Sequence, residues 1–64
     1  MLPKKPLPQR EKELQSLLAT PVGRKELEAL ESQYYEVSGR PRPPSTSVIT
    51  YILVYEREKG LIGR

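Results

Sequence analysis

The chain has 64 residues, a formal net charge of +3, and neither cysteine nor histidine. That length holds one domain at most and buries only about 60% of its unfolded surface, so it leans on tight helix packing or self-association. Disulfides, thiolate metal sites and imidazole acid–base chemistry are excluded, and no run approaches the roughly 18 apolar residues of a bilayer span.

The charge is unevenly placed. Residues 1–10 carry Lys4, Lys5 and Arg10 with no acid. Residues 11–37 carry six glutamates against Lys12, Arg24 and Lys25, giving −3. Residues 38–64 carry Arg40, Arg42, Arg57, Lys59 and Arg64 against Glu56 and Glu58, giving +3. Two basic ends around an acidic middle suit a phosphate backbone or an acidic partner, or an ordinary solvated surface. The basic N-terminus lacks the apolar stretch of a signal peptide, which places the protein in the cytoplasm as an expectation.

Residues 1–8 contain Pro3, Pro6 and Pro8 and read as an extended, flexible tail ahead of a single helical domain at 9–64. Leu7-Pro8-Gln9-Arg10 half-matches a proline-rich ligand of SH3 domains, but Lys5 stands where that motif wants its first proline. Gln9 to Thr20 reads as a first helix, with Pro8 suited to its first turn and Leu14, Leu17 and Leu18 on one stripe. Thr20 caps a second helix with Pro21 at its first position. There Leu27, Leu30, Tyr34 and Val37 repeat at steps of three and four within a narrow arc that includes Gly23. Ser38-Gly39 ends it, Gly39 serving as a left-handed cap. Tyr35 points away from the stripe and is a candidate contact.

Gly39 to Pro44 cannot be helix, because Pro41, Pro43 and Pro44 remove three amide donors and force extended geometry on the residues before them. Beyond it, Val48 to Tyr55 is the densest apolar run of the chain. Its β-branched and aromatic residues suit a strand. The punctuation favours a helix over about 47–59: Ser45, Thr46 or Ser47 as cap, Arg57 and Lys59 in the last turn, Gly60 as stop. On that helix the apolar arc is about 200° wide and leaves only Thr50, Val54, Arg57 and Glu58 for water. The expected fold is all-α, a small three-helix domain with a proline-rich loop before the third helix. Leu61 and Ile62 are expected to fold back onto the core.

Catalysis has little to work with. There is no aspartate, every glutamate is expected on a polar face or near a helix end, and Ser45, Thr46 and Ser47 have no visible base. The expected function is a small non-enzymatic protein-interaction or regulatory module. Its partner is another protein or a second copy, with no cofactor, metal, membrane or small-molecule substrate. The surplus apolar surface of the third helix motivates this, with Tyr35, Ile49, Tyr51 and Val54 as candidate interface residues.

The alternative is DNA binding through residues 40–50. Glu56-Arg57-Glu58-Lys59-Gly60-Leu61-Ile62-Gly63-Arg64 resembles the end of the recognition helix of winged-helix regulators, which often reads Leu-Glu-Arg-Lys-Gly-Leu-Ile-x-Arg. Ser45-Thr46-Ser47-Val48 resembles the Ser-x-x-Thr-Val opening of that helix. One residue is inserted in the Glu-Arg-Lys triplet, and Val54 replaces a polar or basic residue. The resemblance implies that Thr46, Ser47 and Thr50 face the major groove and that Lys59 and Arg64 meet phosphates. Gly39-Arg40-Pro41-Arg42-Pro43 likewise resembles the Gly-Arg-Pro core of AT-hooks, implying minor-groove contacts from Arg40 and Arg42. A rigid interhelix loop accounts for the same residues.

Overall fold

A computed structural model describes residues 5–63. Three helices form the fold: α1 (Leu7–Leu17), α2 (Pro21–Ser38) and α3 (Val48–Glu58). Each packs against the other two, within extents of 31 × 28 × 20 Å. Among the described residues there is no strand, only an isolated bridge between Lys5 and Ile62. The β-branched run 48–55 is thus helical. Its residue types favour a strand, but burial of one face against α1 and α2 outweighs that weak local preference.

The first helix starts earlier than its sequence suggested. Pro6 is its N-cap and Leu7 its first residue, and the Arg10 amide donates to the Pro6 carbonyl at 3.0 Å. Prolines at the start of a helix lose no hydrogen bond, because the first amides have no intrahelical acceptor. Lys5 to Pro8 are therefore part of the folded unit; residues 1–4 of the expected tail lie outside the described residues. A tight turn then leads to Thr20, whose Oγ1 accepts from the Gly23 amide at 2.9 Å, with Pro21 at the first position of α2. Here the two helices touch backbone to backbone. A Cβ on Gly23 would collide with the Leu17 carbonyl and lie 2.7 Å from the Leu17 Cα.

Gly39 closes α2 at φ 71° with its amide on the Tyr35 carbonyl at 2.7 Å. Of the three hydroxyl residues offered as caps for α3, Ser47 takes the role, accepting from the Thr50 amide at 3.2 Å. The end of α3 is a Schellman turn: Leu61 N–H reaches the Glu56 carbonyl and Gly60 N–H the Arg57 carbonyl, at 2.8 and 3.1 Å. This turn sends the chain back so that Ile62 is buried while Leu61 stays exposed. The Gly63 amide then donates to the Lys5 carbonyl at 2.8 Å.

The core consists of Leu14, Leu27, Tyr34, Ile49, Ile52, Leu53 and Ile62, with Leu7, Leu17, Leu30, Val48, Tyr51 and Tyr55 packed around it. Four expectations fail here. Leu18 and Leu61, expected against the core, are exposed. Val37 is 63% exposed, because the α2 stripe leaves the core after Tyr34. Ile49 is buried at 5% exposure, so it is a core residue and not part of an interface.

Candidate interaction surface

The third helix presents two different faces. Ile49, Ile52, Leu53 and Glu56 point inward. Thr50, Val54, Arg57 and Glu58 point outward, with Tyr51 half-buried beside them. Val54 is 50% exposed, as its place on the outer strip required.

The proline-rich segment runs alongside this outer strip, tied to α3 by Arg40 and to α2 by Arg42. Arg42 Nε donates to Glu31 Oε2 on α2 at 3.0 Å, and its Nη1 donates to the Thr46 carbonyl. Arg40 Nη2 donates to Glu58 Oε2 on α3 at 2.7 Å, and its carbonyl accepts from the Tyr51 hydroxyl at 2.6 Å. Between the loop and the helix lies a shallow groove of about 220 Å³. Pro41, Pro43, Tyr51, Val54 and Tyr55 supply its apolar wall, and Arg40 and Glu58 stand at its edge. The prolines keep their shape without internal hydrogen bonds, so the wall is preformed.

The remaining candidates are scattered. Ser47 and Thr50 are exposed at the start of α3 and bonded to each other, Ser47 Oγ to Thr50 Oγ1 at 3.0 Å. Thr46 is half-buried. Lys59 lies one helix length away, its ammonium 5.8 Å from the Tyr55 ring centroid. Arg64 falls outside the described residues. Tyr35 is exposed on α2 and borders a separate depression with Glu28, Glu31 and Arg42. Among the described residues no group of three or more carboxylates is gathered to hold a metal ion.

An ionisable cluster inside the protein, around Glu56, was missed from sequence. Glu56 is 3% exposed. Arg10 grips it with both arms, Nε to Oε1 at 2.8 Å and Nη2 to Oε2 at 2.7 Å, and the Tyr34 hydroxyl donates to Oε2 at 2.7 Å. Tyr34 also stacks on Tyr55, rings 4.0 Å apart and 13° from parallel. The hydrogen bond to Glu56, against the cost of burial, raises the Arg10 pKa and keeps its charge. Burial, then the bond to Glu56, pushes the Tyr34 hydroxyl up to about 12. The cluster joins all three helices and lies beneath the groove through Tyr55. Among the described residues no buried side-chain polar atom lacks a hydrogen-bond partner, so the cluster's buried polar groups are satisfied. The signal was available: Glu56 follows Ile49, Ile52 and Leu53 at the spacing of one helix face.

Compared with known proteins, the chain matches no family model, no curated protein and no solved structure.

Proposed function

We propose that the protein is a small non-enzymatic interaction module that associates with a second copy of itself through the outer strip of α3. The observation that supports this is Val54, half exposed beside Tyr51 and the proline wall on a helix whose other face is already fully used. A two-fold contact sets one patch against itself, so the patch must carry both signs of charge or neither. This one carries Arg57 and Glu58 side by side. Sedimentation of the unmodified protein from micromolar to millimolar concentration is the direct test, with a mass that rises towards a dimer expected. Val54→Glu should remove that rise and leave the far-UV circular dichroism helical, because Val54 lies outside the core. A monomer at every concentration would end this reading.

DNA binding through residues 40–50 remains the second reading, favoured by the exposed hydroxyls of Ser47 and Thr50 at the start of α3. Against it stand the ion pairs: Arg40 and Arg42 must leave Glu58 and Glu31 to reach a phosphate. The 39–47 connection is also longer than the three or four residues that join the helices of a helix-turn-helix unit. Binding to duplex DNA at low salt that weakens on Arg40→Ala would restore it.

A further inference from the structure

The face that α3 leaves uncovered has a polarity along its length, and this decides how a second copy can lie on it. Resting on the self-association proposed above, we infer that two copies pair α3 against α3 in antiparallel fashion, with the two-fold axis passing at Val54. The outer strip runs Thr50, Tyr51, Val54, Arg57, Glu58, so Val54 is its midpoint. An antiparallel pair centred there sets Val54 on Val54 of the second copy. It sets Thr50 against Glu58, so that a hydroxyl donor meets a carboxylate, and Tyr51 against Arg57, so that a guanidinium meets an aromatic face. Both pairings occur twice by symmetry. The parallel alternative sets Arg57 on Arg57 and Glu58 on Glu58. It also lays two helix dipoles side by side in the same direction. Like charges in contact and aligned dipoles both disfavour it.

The contact is small. A helix the length of α3 is about 16 Å long, and such a strip falls short of the roughly 800 Å² per partner buried in stable complexes. The dimer is therefore weak and governed by concentration. The groove edge takes part without rearrangement, since Arg40 already holds Glu58 and fixes the carboxylate that Thr50 of the second copy would meet.

The natural chain has no cysteine, so single cysteines report the register directly. In a glutathione redox buffer, exchange selects the linkages that the complex favours. Val54→Cys alone is expected to link to itself. Thr50→Cys and Glu58→Cys, mixed in equal amounts with one of them extended to change its mass, should give the mixed product in excess of either self-linked product. In this register Thr50 and its symmetry mate are about 12 Å apart along the axis by helix rise, too far for a disulfide. If Thr50→Cys links to itself as readily as to Glu58→Cys while the unmodified protein sediments as a dimer, the antiparallel register is overturned and self-association stands. If the unmodified protein sediments as a monomer throughout, both are overturned.

Discussion

Glu56 is the residue on which most of the interior polarity rests. A carboxylate with 4% of its side chain exposed is costly to bury, and here one guanidinium and one phenol offset that cost. Removing one partner of such a pair leaves the other charge buried alone. Arg10→Ala is thus expected to lower the stability by about 3–5 kcal/mol, read from the urea midpoint. Arg40→Ala breaks a pair of similar length whose side chains are 70% and 47% exposed, and should cost about 0–1 kcal/mol. Equal losses would mean that water reaches Glu56. The sequence reading sets every glutamate on a polar face or near a helix end, weighing residue type above position. The partner Arg10 lies far away along the chain, and nothing local announces a bond between first and third helices.

At the scale of the helices, punctuation was the most legible signal. Thr20-Pro21, Gly39 and Gly60 stand where the capping chemistry placed them, and Ser47 is one of the three hydroxyl residues it offered for α3, because a cap is decided by its immediate neighbours. Periodicity was less sharp. It grouped Leu27, Leu30, Tyr34 and Val37 as one stripe, yet only Leu27 and Tyr34 are buried, Leu30 is half-buried and Val37 lies outside. A wheel gives direction but not the distance to the neighbouring helix, and α2 runs on past the end of its partners. Leu27→Ala should therefore cost about 2–5 kcal/mol and Leu30→Ala clearly less. Thermal melts of the two variants check the order; a reversed order would move the core towards Leu30. The start of α1 departs from the sequence reading for another reason. Three prolines in eight residues look extended, whereas Pro6 and Pro8 occupy positions at which a helix needs no amide.

For the whole molecule, a chain of 64 residues has little stability to spare, and two ionisable groups set limits in pH. The Lys5 ammonium, bonded to Glu13, holds that carboxyl below its ordinary value near 4.5. A depressed pKa stabilises the fold above the unfolded value and loses that contribution as pH falls through the folded one. Tyr34 works in the other direction: raised to about 12 from 10.0, it contributes fully below pH 10 and loses that contribution as pH rises through 12. Melting temperature against pH should show both limbs. Glu13→Gln should flatten the acid limb alone and Tyr34→Phe the alkaline limb alone. A Glu13→Gln profile matching the parent's would show that the contacts of Lys5 and Arg10 with Glu13 have no energetic weight. No described helix is long and apolar enough to cross a membrane. The three-helix architecture was readable because its apolar runs, caps and loop agree with one another. The candidate surface was readable only in part, since Val54 and Tyr51 follow from the wheel, whereas the proline wall depends on where Arg40 and Arg42 draw the loop.

The hydrogen bond from Gly63 to Lys5 has a geometric consequence for the chain as a building block. The described polypeptide leaves and returns at one point, so the fold is topologically close to a ring. Closely spaced ends are what allow a unit to be set into another protein's loop without disturbing its host. A host joined to this bundle at Lys5 and Gly63 would need to part its own chain by little more than the spacing of one backbone pair.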